Sequence, residues 1–193
     1  QYGNPKPRVF RLEKDKAIIN RNGFNNLGMA QAIKKLKNYR KKFPVGSDFI
    51  LGVNIGPNKD SNDRFNDYEI LSKNLSEFAD YLTINISSPN TPNLRDFHQT
   101  NNLKKVLISV KNGIVKSKSL DLQLPIFLKI APDISKNDLK QIIETANENN
   151  ISGLIISNTT VDRNKELQSD NLHETGGLSG IPLFNKSTNF LAL

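Results

Sequence analysis

Residues 81–91 read YLTINISSPNT and consist of a strand-like run followed directly by a polar segment that ends it. The run up to Ile84 is mostly apolar, and Asn, Ser and Pro follow it directly. Pro89 has no N–H to donate, and Asn and Ser side chains bond their own backbone, so the chain must turn here. Functional sites of α/β proteins lie at the carboxyl ends of buried strands. An ordinary polar turn is the alternative interpretation of this segment taken alone.

The rest of the chain alternates short apolar runs with segments of helical spacing. Further strands are predicted at residues 49–54, 124–130 and 152–157. Helices are predicted at residues 27–43, 65–78 and 103–114, from a capping box formed by Ser135 and Asp138, and from near Asn185 to Leu193. Apolar strands that alternate with helices indicate a parallel sheet covered by helices, and therefore an α/β fold.

The number of predicted strands indicates part of a (β/α)₈ barrel. A complete barrel typically needs about 250 residues, whereas this chain of 193 residues offers about four core strands. A Rossmann-type sheet is the alternative, although no Gly-x-Gly-x-x-Gly stands between a strand and a helix. Residues 8–23 are expected to form a hairpin or an irregular excursion, because Asn22-Gly23 is a strong turn signal. No linker or repeat is evident, so residues 1–193 are expected to form a single incomplete domain.

Charge and composition narrow the class of protein. The net charge is +8, but the lysines lie mostly in predicted helices, which favours solvated helix faces over a nucleic-acid surface. The absence of cysteine excludes disulfides and thiol chemistry. No apolar run approaches the roughly 20 residues of a membrane helix. Residues 1–8 are typical of neither a signal peptide nor a translation start, so we expect the chain to be part of something longer.

Amides and one lysine are the candidate binding groups. Five asparagines end strands or open loops: Asn20, Asn54, Asn85, Asn90 and Asn158. Amides donate and accept hydrogen bonds without charge and suit the edge of a planar heterocycle, although turn chemistry explains any single one. Lys129 lies within an apolar strand, where a cation is costly unless an anionic group meets it. The Lys129 ammonium group suits a bound ring that becomes negatively charged on reduction. The alternatives are that the Lys129 side chain faces outwards or pairs with Asp133.

Other catalytic classes are disfavoured. Ser88 can act as a base only where its surroundings assist the loss of its proton. The two histidines, His98 and His173, lie in predicted polar loops where solvation is expected, which argues against a Ser-His-Asp hydrolase. The lack of cysteine and the distance between the histidines argue against a metal site. The glycine-rich residues 175–180 suit either a phosphate contact or a flexible loop.

Six segments, taken in order, resemble the dihydroorotate dehydrogenase family, in particular its quinone-dependent class 2 form. They are NRNGF at 20–24, GVNIG at 52–56, NISSPNT at 85–91, LKIAPD at 128–133, SNTT at 157–160 and TGGLSG at 175–180. Each segment alone is weak evidence for the family, but six segments in the family's order are specific evidence for it. The resemblance implies a barrel with FMN at its carboxyl end, which oxidises dihydroorotate to orotate in de novo pyrimidine (UMP) biosynthesis. It also implies a quinone as the final electron acceptor.

The resemblance implies a role for each matching residue. Ser88 resembles the catalytic base of class 2, where class 1 enzymes have a cysteine. The implied substrate contacts are Asn20, Arg21, Asn22, Gly23, Phe24, Asn85, Asn90, Asn158 and Thr159. The implied FMN contacts are Asn54, Asn85, Lys129, Ser157, Ser179 and Gly180.

The chain also departs from the family pattern. Pro57 stands where a lysine is usual, Ser157 where threonine is usual, and Ile181 where a basic residue is usual. The family's membrane-associating helices, its first two strands and its last two strands have no counterpart here. We therefore expect an internal portion of a protein that lies at a bacterial or mitochondrial inner membrane. The alternatives are a non-catalytic remnant that does not hold FMN, with exposed strand edges, and a flavin enzyme with another substrate.

Overall fold

The computed structural model describes residues 2–91, 94–117 and 124–192, which form two sheets and five α-helices. Short 3-10 turns lie at Ser76–Phe78, Leu94–His98 and Asp170–His173. The elements, in chain order, are β1 (Val9–Leu12), β2 (Ala17–Asn20), α1 (Met29–Lys42), β3 (Gly52–Ile55), α2 (Arg64–Leu75), β4 (Tyr81–Asn85), α3 (Thr100–Val115), β5 (Ile126–Ile130), α4 (Lys136–Glu148), β6 (Gly153–Ile156), β7 (Gly177–Gly180) and α5 (Ile181–Leu191). Within these ranges, no helix has the length and apolar character needed to cross a membrane.

The larger sheet is parallel and confirms the predicted alternation of strands and helices. Its strand order is β3-β4-β5-β6, and every neighbouring pair is parallel. Neighbours in space are therefore also neighbours in sequence, as in a barrel, whereas a doubly wound sheet reverses its strand order. The capping box predicted at the start of α4 is present, with Ser135 Oγ accepting from the Asp138 N–H at 3.1 Å.

One face of this sheet is packed against helices and forms the main core. Val53, Ile84 and Leu128 contribute to it from the strands, and each is buried. The helices add Tyr68, Leu103, Leu107, Val110, Leu139 and Ile142. Side chains alternate between the two faces of a strand, so the intervening residues project to the opposite face. That opposite face carries the polar side chains of β3, β4 and β5.

The smaller sheet is antiparallel, in the order β1-β2-β7. A hairpin of β1 and β2 is present, as expected, with Val9 paired with Asn20, but its turn lies at residues 13–16 and not at the predicted Asn22-Gly23. A second apolar cluster of Leu12, Ala17, Ile19 and Leu178 holds the three strands together. A single bridge between Thr160 and Leu178 connects β7 to the segment that follows β6.

The last helix begins earlier than predicted. We expected a start near Asn185, but α5 begins at Ile181 and ends at Leu191, and Leu193 lies outside the described residues. Pro182 occupies the first turn, where its missing N–H has no intrahelical partner to lose. Gly180 precedes the helix with φ of 102°, a conformation that favours glycine. The prediction failed because Pro182 was not treated as a helix start.

Gly113 allows α2 and α3 to approach closely. A Cβ at this position would collide with Ser72 Oγ and with the Glu69 carbonyl of α2. Gly113→Ala is therefore expected to lower the free energy of unfolding by about 1–3 kcal/mol through overpacking, despite the better helix propensity of alanine. Urea unfolding of the purified chain measures the change. Asn112→Ala, at the neighbouring exposed position, is the control, and equal stability of the two variants would contradict this account.

Candidate active site

Three predicted site residues lie on the sheet face that is turned away from the helices. In the register of the parallel sheet, Asn54 is opposite Thr83, and Asn85 is opposite Lys129. Since Thr83 and Asn85 are two positions apart on β4, all four side chains project to the same face. Asn85 is only 5% exposed, whereas Asn54 is exposed. The sheet thus places two amides and one lysine on one surface.

Lys129 does not pair with Asp133. The carboxylate of Asp133 instead bonds to Arg95 at 2.9 Å and to Lys186 at 2.7 Å. Lys129 itself is half-buried, and among the described residues it has no hydrogen bond or ion pair. Its ammonium group is therefore available to an anionic ligand on this face.

Asn85, Ser87 and Asn158 form a hydrogen-bonded cluster beyond the ends of β4 and β6. Asn85 Oδ1 accepts from the Ser87 N–H at 3.1 Å and from Ser87 Oγ at 3.2 Å. Asn158 Nδ2 donates to Ser87 Oγ at 3.0 Å and to Asn85 Oδ1 at 3.5 Å. Asn158 Oδ1 accepts from the Thr159 N–H at 2.8 Å. Segments far apart in sequence thus meet at one polar cluster.

Ser88 lies next to this cluster and is 8% exposed. Its Oγ accepts a hydrogen bond from the Asn90 N–H at 3.3 Å. No histidine or carboxylate bonds to Ser88 within the described ranges. A hydroxyl in such an enclosed place can exchange a proton with a bound ligand but has little access to bulk water.

Asn20 and Asn90 join the hairpin sheet to the loop after β4. Asn90 Nδ2 donates to Asn20 Oδ1 at 3.2 Å, and Asn20 Nδ2 donates to the Gly177 carbonyl at 3.4 Å. Gly177 has no room for a side chain, because a Cβ there would collide with Thr159 Oγ1 and would lie 3.0 Å from Pro89. The segments 20–24, 85–91 and 157–160 therefore meet beside β7.

The loop at residues 21–24 is fixed by contacts that the sequence did not reveal. Arg21 bonds to Glu174 at 2.6 Å and lies over the ring of Phe10, at 4.4 Å from its centroid. Gly23 and Phe24 both have positive φ, of 65° and 56°, and the Asn22 N–H donates to Asn20 Oδ1 at 3.4 Å. Two consecutive residues with positive φ thus redirect the chain at the predicted Asn22-Gly23 signal.

The remaining predicted FMN residues are more dispersed. Ser157 lies at the end of β6, and its Oγ donates to the Asn158 carbonyl at 2.9 Å. Ser179 and Gly180 lie in β7, opposite Ile18 and Ala17, and Ser179 Oγ donates to the Ile18 carbonyl at 3.3 Å. No hydrogen bond joins these two residues to Asn85 or Lys129 in the part of the chain that the structure describes.

Sequence reasoning missed two residues that support the site. Asn4 Nδ2 donates to the Arg21 carbonyl at 2.9 Å and to the Asn90 carbonyl at 3.4 Å, which connects two of the candidate loops. The buried Tyr68 hydroxyl donates to the Asn85 carbonyl at 2.8 Å, and burial raises the pKa of that hydroxyl. No local pattern identifies Asn4, whereas the single buried tyrosine on the apolar stripe of α2 was a usable signal for Tyr68.

His98 is not the solvated loop residue that we expected. It ends the turn Leu94–His98 and is half-buried, and its Nε2 accepts from the Ala131 N–H at 3.4 Å. Burial lowers the pKa of His98 to about 4, and the nearby charge of Arg95 lowers it further. The imidazole is therefore neutral and serves as a hydrogen-bond acceptor.

The lowered pKa of His98 predicts a loss of stability in acid. Between about pH 6.5 and pH 4 the unfolded chain binds a proton at His98 that the folded chain does not, so acidification through this window favours unfolding. We expect this residue to contribute about 2–3 kcal/mol to the decrease in unfolding free energy between pH 7 and pH 4. Urea unfolding across this range should show a shallower pH slope for His98→Asn than for the unmodified chain. His173→Asn, at an exposed site, is the control, and an unchanged slope in His98→Asn would contradict the prediction.

Comparison with known proteins decides the family. The family model described as dihydroorotate dehydrogenase matches residues 1–192. The chain belongs to the dihydroorotate dehydrogenase family. The resemblance carried by the six segments is therefore confirmed. The chain also superposes on a crystal structure of ligand-free DHODH from Eimeria tenella, with a TM-score of 0.92 and 39% identity. This match confirms the expected likeness to a barrel fold. That match covers 98% of this chain and 56% of the other.

Curated relatives carry the name dihydroorotate dehydrogenase (quinone). The chain is 46% identical over 193 residues to the protein from Brucella anthropi and 50% identical over 192 residues to that from Mesorhizobium japonicum. It is 46% identical to a mitochondrial relative from Cyclocybe aegerita. All of this chain is matched in each case, against 52%, 51% and 57% of the relatives. The chain spans about half the length of the curated relatives that it matches.

Proposed function

We propose that this protein oxidises dihydroorotate to orotate, with FMN as hydride acceptor and a quinone as final electron acceptor. The observation that carries the proposal is the register that places Asn85 opposite Lys129, beside Ser88 and Asn158 at the same end of the sheet. Residues 1–193 would form one incomplete FMN-binding barrel domain. The names of the relatives support the quinone. A location at a bacterial or mitochondrial inner membrane is part of the same proposal and rests on the family resemblance.

The residues of the polar face fit a flavin. An isoalloxazine ring presents carbonyls and ring nitrogens along its edge, which amides and hydroxyls can bond without charge. Asn54, Asn85, Lys129 and Ser157 would hold it on this face, and Ser179 and Gly180 would contact it from β7. When bound, FMN supplies the two-electron acceptor that the chain itself lacks. The ammonium group of Lys129, which has no ion-pair partner among the described residues, suits the negative charge that a reduced flavin carries.

Ser88 would take the proton that leaves the substrate. Oxidation of dihydroorotate to orotate removes one proton and one hydride from neighbouring ring carbons. Ser88 Oγ would take the ring proton as its own hydroxyl proton passes to a water molecule at the 8% of the residue that remains exposed, while the hydride passes to the acceptor. The low exposure of Ser88 keeps bulk water from competing for that proton. General-base catalysis of this kind contributes about 10²–10⁴-fold to a rate.

The asparagine cluster would bind the pyrimidine ring. Asn85 ends β4, Asn90 and Asn158 come from the segments after β4 and β6, and Asn20 faces them from β2. The loop of Arg21, Asn22, Gly23 and Phe24 would complete the substrate site together with Thr159. Uncharged amides match the alternating carbonyl and N–H groups of a pyrimidine edge. A site that pairs each such group discriminates strongly against ligands that lack one.

The test compares two dihydropyrimidines on the FMN-loaded protein without oxygen. Dihydroorotate should bleach the visible flavin absorption and yield orotate in equal amount. Dihydrouracil, which lacks the carboxylate, should bleach it far more slowly because it lacks one charged contact. Bleaching by dihydrouracil at the rate of dihydroorotate, or no bleaching by dihydroorotate, would contradict the proposed substrate.

A non-catalytic remnant is the second candidate, and one feature of the structure favours it. In the described sheet, β3 and β6 each have a neighbour on one side only. A cleft of about 900 Å³ opens beside β3, lined by Leu36, Val53, Asn54 and Leu71 among others. An unpaired edge and an uncovered apolar cleft invite association with other chains. Failure of the purified protein to retain FMN, together with aggregation, would favour this candidate.

A further inference from the structure

Asp133 is a buried carboxylate surrounded by four hydrogen-bond donors. Its side chain is 9% exposed. Oδ2 accepts from Arg95 Nη1 and from the Val161 N–H, both at 2.9 Å. Oδ1 accepts from Lys186 Nζ at 2.7 Å and from Thr160 Oγ1. Asp133 itself follows β5, so one carboxylate ties together the turn after β4, the segment after β6 and helix α5.

Arg95 extends this contact to the candidate substrate segment. Its Nη2 donates to the Thr159 carbonyl at 3.1 Å while its Nη1 bonds to Asp133. Three consecutive residues, 159–161, are thus held by Arg95 or Asp133. Asn158, immediately before them, directs its amide to Ser87 Oγ at 3.0 Å. The Arg95–Asp133 ion pair thus holds residues 159–161, and the cluster of Asn85, Ser87 and Asn158 holds the residue before them.

Asp133 carries its negative charge at neutral pH. Burial raises its pKa, but hydrogen bonds from Lys186, Thr160 and the Val161 N–H outweigh burial, so the pKa lies below its usual range. A charged, buried carboxylate that accepts four hydrogen bonds makes stronger contacts than neutral groups would. Removing the charge leaves Arg95 and Lys186 without their common partner and loosens the backbone that they hold.

We propose that Asp133 and Arg95 are positioning residues that hold Asn158 and Thr159 where they bind the pyrimidine substrate. This inference rests on the proposed function, since it assigns a substrate to that segment. Neither residue hydrogen-bonds to Asn85, Ser88 or Lys129 within the described residues, so both act by holding residues 159–161 through two backbone groups and the Thr160 hydroxyl. Small displacements of a binding group are costly, because productive geometry tolerates little misplacement.

Two measurements on the FMN-loaded protein test the proposal, with Asp133→Asn, Arg95→Leu and the milder Arg95→Lys as variants. The first is hydrogen exchange of a peptide that covers residues 157–162. The second is the dependence of flavin reduction on dihydroorotate concentration. Glu148→Gln makes the same carboxylate-to-amide change at the exposed ion pair with Lys104 and is the control. Arg95→Lys keeps the positive charge, but a lysine cannot donate to Asp133 and Thr159 at the same time with the planar geometry of a guanidinium. It is the variant to use if the other two do not fold.

We expect exchange in residues 157–162 to accelerate by about tenfold or more in the variants, and the KM for dihydroorotate to rise by about 10- to 100-fold. The reduction rate at saturating dihydroorotate and the retention of FMN should change far less, and Glu148→Gln should match the unmodified protein. Unchanged exchange in the variants, or faster exchange with an unchanged KM, would overturn the proposal. A lack of reaction in the unmodified protein would instead contradict the proposed function, and the exchange comparison would still decide whether Asp133 and Arg95 hold the segment.

Discussion

Ser88→Ala is expected to slow the reduction of bound FMN by dihydroorotate by about 10²–10⁴-fold. The hydroxyl is the enclosed group beside the Asn85–Ser87–Asn158 cluster, and alanine cannot accept a proton. FMN should remain bound, because no FMN contact is assigned to Ser88. Rapid mixing without oxygen, followed at the visible flavin absorption, gives the rate for each protein.

A matched control separates the loss of a base from the loss of a buried hydroxyl. Ser76 is also buried, and its Oγ has no hydrogen-bond partner among the described residues. Ser76→Ala should therefore leave both stability and flavin reduction nearly unchanged. Ser88→Cys, which installs the residue of the class 1 enzymes, should retain part of the activity. Near-normal reduction in Ser88→Ala would remove Ser88 from the mechanism while leaving the family assignment intact.

Asp80→Ala is expected to lower the free energy of unfolding by about 3–5 kcal/mol. Asp80 and Arg40 form a 2.6 Å ion pair with side chains only 13% and 8% exposed. Asp80 also accepts from the N–H groups of Gly46 and Leu51, at 3.0 and 2.6 Å. Its removal leaves a buried guanidinium without a counter-charge and two backbone donors without acceptors. Urea unfolding of the purified chain measures the loss.

The exposed pair between Lys104 and Glu148 is the control for this prediction. Glu148→Ala should cost no more than about 1 kcal/mol, because exposed pairs contribute little. Burial raises the pKa of Asp80, but hydrogen bonds from Arg40, Gly46 and Leu51 bring it below the ordinary value. The stabilisation that the charged Asp80 provides is therefore present near neutral pH, and it is lost only as the pH falls through that lowered pKa. Equal effects of Asp80→Ala and Glu148→Ala would show that the buried pair is unimportant.

The order and type of the main elements followed from the sequence because their signals are local. A window of a few residues is enough to recognise each of these signals. They are the apolar runs that form β3 to β6, the helical spacing between them and the Ser135–Asp138 capping box. The early start of α5 was missed where a single proline decides the boundary.

The contacts that assemble the candidate site could not be predicted from local pattern. Asn4 reaches the carbonyl of Asn90 across 86 residues of chain, and Arg95 reaches that of Thr159 across 64. Such pairings depend on how strand ends meet in space, which residue types do not specify. The same limit explains Asp133, which we considered as a partner for Lys129 because it is only four residues away. Its actual partners, Arg95 and Lys186, come from distant segments.

We propose that the sheet face of Asn54, Asn85 and Lys129 holds a flavin that dihydroorotate can reduce. The most direct test of this proposal is to mix the purified chain with FMN, desalt it, and record the visible flavin spectrum before and after adding dihydroorotate without oxygen. We expect flavin to remain with the protein and to be bleached by dihydroorotate. We also expect Lys129→Gln to retain less flavin. Loss of all flavin on desalting, or bound flavin that dihydroorotate does not bleach, would contradict the proposal.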